Sequence, residues 1–226
     1  MQRHILQSAL WLSVSMALAA CSSLPPSGVT VRTERELLSH TLRIDAGEQP
    51  VLTTPQRSIR VTEQLLHRVT ELDVKGNALN SHESYQSLPW DRQPVEVIAD
   101  DQRITLLTDQ DGALRLNLLD EHFVDLDFDD LRVIQLVATL DPSIVAEQNL
   151  LVSRELRAVL REAVTLIHGN LEEDGIEQWV YRVNRLSQLG LSEESSQLEN
   201  MLILLTIGDP ELQAEFVNAL DDSEMP

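Results

Sequence analysis

The apolar residues of this chain change their repeat once, near Pro142, and that change limits the folds open to it. Before it, they recur at every second position. Val95, Val97 and Ala99 form one such set; Leu114, Leu116 and Leu118, with Arg115 and Asn117 between them, form another. Residues two apart share one face of a strand, so runs of this kind are buried in sheets. After Pro142 the repeat lengthens. Leu156, Val159, Leu160, Ala163, Val164 and Ile167 lie on one stripe of an α-helix. A sheet-forming half followed by a helix-forming half predicts an α+β chain. Its expected parts are a β-sandwich-like domain over residues 57–141 and an α-helical domain over residues 142–226.

Turn chemistry divides both halves further. The run "SIRVTEQLLHRVTELDVKGNAL" mixes alternating and continuous apolar positions and ends at the turn signal Gly76-Asn77. The polar segment "ALNSHESYQSLPWDRQ" after it reads as an inserted loop. Asp109-Gln110-Asp111-Gly112 separates Ile104 and Leu106 from the Leu114–Leu118 run, with Gly112 free to take a positive φ, and predicts a hairpin. Val124, Leu126 and Phe128 alternate with Asp125, Asp127 and Asp129, which predicts one or two more strands up to Leu140.

In the second half, Gly169-Asn170 stops the first helix. A second carries Ile176, Trp179, Val180, Val183 and Leu186; a third follows Ser192, read as its N-cap, and carries Leu198, Met201, Leu202 and Leu205. Asp209-Pro210-Glu211 opens a fourth, with a cap and then proline at the first helical position. Four stripes on short loops predict a small bundle, and unequal lengths argue against a repeat solenoid.

The strand that enters Thr108-Asp109-Gln110-Asp111-Gly112 and leaves as "ALRLNL" resembles the β-sandwich modules of the transthyretin-like or carboxypeptidase-regulatory-like kind. The resemblance covers about 50 residues. It implies a module that binds or braces its neighbours and carries no catalysis. The polar insertion departs from the pattern of a compact module.

The chain begins as a secretory signal does. Arg3 and His4 precede an uncharged, mostly apolar run from Ile5 to Ala17. At roughly 13 residues, that run falls short of the about 20 a membrane-spanning helix needs. Small residues follow, as signal-peptide cleavage requires. The stretch Leu18-Ala19-Ala20-Cys21 resembles a bacterial lipobox. That resemblance implies a signal peptide over residues 1–20, with Cys21 diacylated on sulfur, N-acylated, and first in the mature chain. Cys21 is the only cysteine, so no disulfide forms within the chain. Ser22 stands where aspartate favours inner-membrane retention in the Gram-negative lipoproteins this resembles. The implied address is therefore the outer membrane, on its periplasmic side. Two or more acyl chains give stable attachment.

Residues 21–56 hold Pro25-Pro26, Gly28, Gly47, Pro50 and Pro55 and read as a lipidated, flexible tether. Within them "VRTERELLSHTLRI" is ambiguous between helix and strand, ordered against the body or a partner.

Charge is distributed unevenly. Residues 22–94 carry 9 acidic and 8 basic side chains; residues 95–141 carry 12 and 3; residues 142–226 carry 16 and 5. Nucleic-acid binding needs a basic face and is disfavoured. The acidic surface serves solubility or meets a basic partner.

Chemistry-bearing residues are sparse. Asp125, Asp127 and Asp129 are the candidate calcium ligands, against a plain solvated strand face or a partner surface. Counted from Asp125, the EF-hand's glycine and bidentate glutamate positions hold Asp130 and Leu136, so that pattern fails. The histidines show no zinc spacing, and no nucleophile elbow or phosphate loop occurs. His82-Glu83, beside Ser81 and Ser84, is read as loop structure.

Tyr85, Trp90 and Arg92 are the candidate partner or ligand surface, since these types are enriched at binding hot spots. Trp90 as a plug at the end of the sandwich core is the competing reading. The sequence therefore leads us to expect a non-enzymatic lipoprotein with no cofactor and no resident metal. It would act as scaffold or adaptor in a secretion, pilus or envelope-biogenesis assembly, with a protein partner; the alternative is binding of envelope glycan or another small ligand.

Overall fold

The fold is taken from a computed structural model, which describes residues 31–224. Nine strands precede four α-helices among those residues: β1 (Arg32–Asp45), β2 (Val51–Leu52), β3 (Gln56–Leu72), β4 (Ala78–Pro89), β5 (Pro94–Ala99), β6 (Gln102–Leu107), β7 (Ala113–Asn117), β8 (Val133–Asp141), β9 (Ile144–Val152), α1 (Arg154–His168), α2 (Ile176–Gln188), α3 (Ser192–Leu205) and α4 (Pro210–Glu224). The sheet-first α+β layout agrees with the change of apolar repeat.

The strands form two sheets. One runs β2-β9-β8-β5-β6, antiparallel except for the short β2–β9 pair. Its inward positions are Val95, Val97, Ala99, Ile134, Leu136, Ala138 and Leu150, all fully buried. The other is built on β3. Along one side β3 pairs with β1; along the other it pairs with β7 over Gln56–Arg60 and then with β4 over Thr62–Leu72. Leu42, Ile44, Ile59, Val61, Leu114 and Leu116 face inward from this sheet. Both sheets and the helices contribute to one contiguous core.

The helices start and stop as their sequence dictates. Ser153 Oγ accepts from the Leu156 amide and caps α1. Asp209 does the same for Leu212 at α4. The first residue of α3 is Ser192 itself, so Ser192 is not the N-cap; Leu191 holds that place without a side-chain bond. Arg182, buried on α2, donates to the carbonyls of Thr165 and Leu166 at the end of α1, at 2.9 and 2.8 Å, and to Asp174 Oδ2 at 2.7 Å. A guanidinium at a helix C-terminus satisfies orphan carbonyls and suits the dipole. Trp179 sits edge-on to Phe216, ring centres 5.8 Å apart, and joins α2 to α4.

Several expectations are corrected. The tether over residues 21–56 gives way to strands from Arg32: β1 and β2 are integral to the two sheets. The boundary at 142 falls between the paired strands β8 and β9, so β9 belongs with the sheet. The Asp109–Gly112 turn does not close a hairpin. It carries the chain from β6 in one sheet to β7 in the other.

Val124 to Leu131 is a series of turns rather than strand. Just before it Asp120 Oδ1 accepts from the His122 amide, and within it Asp127 Oδ1 accepts from the Asp129 amide. Such local side-chain bonds compete with a ladder. Phe123, Leu126, Phe128 and Leu131 still point inward and close the core. The polar segment after Asn77 is the strand β4, not a loop.

Candidate functional site

Beyond Val61, sheet β1-β3-β4 leaves the core and continues as a three-stranded arm. Thirteen pairs join β1 to β3, with a bulge at Leu38. From Val61 to Leu72 the arm extends about 35 Å. Its far end is the turn Asp73–Asn77. Asp73 Oδ1 accepts from the amides of Lys75 and Asn77, Asp73 Oδ2 accepts from Asn77 Nδ2, and Gly76 takes φ +84°. The bond from the Asn77 side chain, with the amide bonds, holds the Asp73 carboxyl below its usual range.

Cross-strand pairs hold the register in place of a buried face. His40 Nε2 and Glu63 Oε1 lie 2.5 Å apart at the base. Further out, Arg68 pairs with Glu36 at 3.2 Å, and the hydroxyls of Thr70 and Ser81 share a bond. His40 lies opposite Leu65, and His82 opposite Val69; with His67 they share one face of the arm. Leu66, Tyr85, Arg68 and Thr70 occupy the other. Among the described residues Val69 is the one buried apolar side chain of the outer arm.

Among the described residues, neither border of the arm is paired. In this sheet β1 ends one side and, past Val61, β4 ends the other. Each presents free backbone donors and acceptors to solvent. Charged side chains on β1 (Arg32, Glu34, Arg35, Glu36) and polar ones on β4 keep these edges soluble. The arm is therefore a ready template for an added strand or a flat polar partner.

The arm joins the body at Gly112. The Val61 amide donates to the Gly112 carbonyl at 2.8 Å, and the Trp90 amide donates to the Val61 carbonyl at 3.1 Å. Here β3 exchanges its partner β7 for β4. Asp109 fixes the turn by accepting from the amides of Asp111 and Ala113. The bond from Ala113 leads in holding its carboxyl below the usual range.

The expected site residues separate. Trp90 is 4% exposed and belongs to the core, as the plug reading has it; Tyr85 is 73% exposed, five residues away along β4. Arg92 lies in the turn between β4 and β5, with φ +49° and its side chain in solvent. The three do not form one surface. Asp125, Asp127 and Asp129 do not line a strand face. Asp127 caps its own turn, and Asp129 Oδ1 accepts from Arg161 Nη1 at 2.9 Å. Among the described residues no three His, Cys, Asp or Glu side chains are grouped as metal ligands would be. His82 and Glu83 are neighbours on β4 and so point to opposite faces.

The helical part offers an open cleft of about 440 Å³ between α1 and α2. Its wall includes Glu162, whose carboxylate takes both Nε and Nη2 of Arg185, the latter at 3.0 Å. That fork holds the Glu162 carboxyl below its usual range. Its lining arginines and glutamate thus already bond within the fold.

Cys21 and the signal segment lie outside the described residues. Among those described, no helix is long and apolar enough to cross a membrane. No protein-family model matches this chain, and no curated protein or solved structure matches it.

The arm is the feature that reading the residues missed. Its strands lack the apolar alternation that marks a half-buried strand, because among the described residues no second layer of apolar side chains covers the arm, and past Leu42 only Val69 on it is buried. The available signal was charge complementarity between "RTERELLSH" and "EQLLHRVTE", the stretches that pair.

Proposed function

We propose that this chain is a lipid-anchored lipoprotein of a Gram-negative envelope, held by Cys21 at the outer membrane and facing the periplasm. It acts without catalysis, as a scaffold or adaptor in an envelope assembly. The observation that supports this reading is the arm: three long strands that run on past the core, with both edges unpaired among the described residues and little apolar cover on their faces. The arm adds little to the core, and its edges, kept soluble by charged and polar side chains, remain open to a partner strand. The acidic body adds a long-range field that favours a partner with a basic surface. Binding along an edge would supply main-chain hydrogen bonds for affinity and alternate side chains for selectivity.

The test is crosslinking in cells, with a photoactivatable residue at Tyr85 on the arm and another at Ser196 on α3, followed by mass spectrometry. One envelope protein captured in near-stoichiometric yield from Tyr85, and not from Ser196, is the expected result. Capture of abundant neighbours alone, equally from both positions, would remove the adaptor reading.

A further inference from the structure

Ten residues, 22–31, separate Cys21 from the first residue of β1. Arg32 pairs with Leu72, so β1 begins at the far end of the arm, beside the Asp73–Asn77 turn. The segment between Cys21 and Arg32 reaches at most about 40 Å when fully extended. Gln56, at the other end of β3, lies about 53 Å from Leu72 along the strand. There Gln56 Nε2 bonds Glu194 Oε1 on α3 at 2.9 Å, which places the helical part at the end remote from the anchor.

The tip has a composition that suits a lipid interface. Val74 is 72% exposed at the head of the turn, Leu79 is 56% exposed on the bulge opposite, and Val31 is 46% exposed at the start of β1. Lys75, the only lysine of the chain, sits beside Val74. The body is strongly acidic: residues 95–226 hold 28 acidic side chains (12 and 16) against 8 basic (3 and 5). An anionic membrane surface repels that body while leaving the near-neutral arm free to approach.

We propose that the arm is a stand-off stalk. Its apolar tip, formed by Val31, Val74 and Leu79, rests in the lipid interface next to the acylated Cys21, and the arm holds the acidic body about 35 Å from the bilayer. The inference rests on the lipoprotein reading and adds an orientation. It assigns the tip to lipid and leaves the arm's sides and edges, which then span the gap between membrane and body, to the protein partner.

The experiment uses the full chain, processed in cells and purified from membranes. Once Cys21 is acylated, an introduced cysteine is the only free thiol. Val74→Cys and, separately, Ser196→Cys are labelled with nitrobenzoxadiazole and reconstituted in phosphatidylethanolamine–phosphatidylglycerol vesicles carrying nitroxide-labelled lipid. Intact mass and thiol titration of each sample report acylation independently. The expected result is one thiol per chain, loss of the Val74 label's emission to the lipid-borne quencher with a blue shift, and no change at Ser196. Acylated protein with the Val74 label unquenched, or with both labels quenched alike, would overturn the stalk while leaving the anchor intact. Two thiols per chain and no acyl mass would overturn the anchor and the stalk with it.

Discussion

At Gly112 a methyl group has no room. A Cβ there would lie 2.5 Å from the Val61 carbonyl oxygen and 2.8 Å from the Trp90 amide nitrogen, and the residue sits at φ +73°. Both contacts are backbone, so relief requires moving β3 or β4 at the point where the arm joins the core. We expect Gly112→Ala to cost about 2–4 kcal/mol, strain and crowding together. Gly76 has a similar positive φ in open space, and Gly76→Ala should cost only about 1 kcal/mol. Urea denaturation of the two variants measures the difference.

A second residue-scale device is the Asp120–His122 pair beside the short 3-10 turn. The side-chain bond between them raises the His122 imidazole above its ordinary 6.5 and lowers the Asp120 carboxyl below its ordinary 3.8. The histidine's share of stability is complete below pH 6.5 and is lost as pH rises through the raised value. The aspartate's share is complete above pH 3.8 and is lost as pH falls through the lowered one. The pair thus contributes most between those two ordinary values. In an NMR titration the His122 ring protons should turn over above 6.5, and Asp120→Asn should return them toward 6.5. Identical curves in both proteins would show that the pair does not form in solution.

Among the elements, α1 depends on a residue of α2. Arg182 ties the last carbonyls of α1 to Asp174, and Gly169 is small because that guanidinium lies where a Cβ would be, 2.5 Å from Nη1. Arg182→Met keeps much of the buried stem, yet it leaves Asp174 without its counter-ion and the Leu166 carbonyl without the guanidinium donor, while Thr165 keeps its bond from the Gly169 amide. We expect a loss of about 2–4 kcal/mol, read from the thermal or urea midpoint.

The helices themselves were legible in the sequence. Leu156, Leu160 and Ala163 keep their stripe, and Gly169 and Asp209-Pro210 mark the ends, because helix signals are local; the Ser153 cap of α1 was not read, and Ser192 was read as a cap that Leu191 holds. The central strands were legible for the same reason at Val95–Ala99 and Leu114–Leu118, where one face is buried. Which strands share a sheet was not. A turn such as Asp109–Gly112 has one local geometry whether it closes a hairpin or crosses between sheets. In residues 124–131 the alternating pattern misled, since Asp127 bonds the Asp129 amide in a turn and Asp129 takes Arg161 of α1. Nothing in the spacing of Tyr85, Trp90 and Arg92 revealed that β4 runs from solvent into the core between the first and the second.

For the whole molecule, the division that matters is between a core shared by two sheets and four helices and an arm that shares almost none of it. The β1-β3-β4 ladder is continuous in hydrogen bonds across that division, whereas past Val61 and Leu42 the only buried apolar side chain of its described residues is Val69. Backbone bonds exposed to water with little apolar cover open by local fluctuation, at a lower free energy than the global transition. Native-state hydrogen exchange should therefore show two classes. Amides of the outer arm, such as Arg35, Val69 and His82, should exchange about tenfold to a hundredfold faster than those of Val97, Leu136 and Leu160 in the core. Ile59 and Val61, on the same strand as Val69 but inside the core, should follow the slow class. That contrast within β3 separates strand identity from burial as the cause. A partner strand added to either edge would then protect the arm selectively and leave the core unchanged. If the arm instead exchanges as slowly as the core in the free protein, it opens only with global unfolding. It would then have no stability to gain from a partner, and the case for it as a docking element would fall.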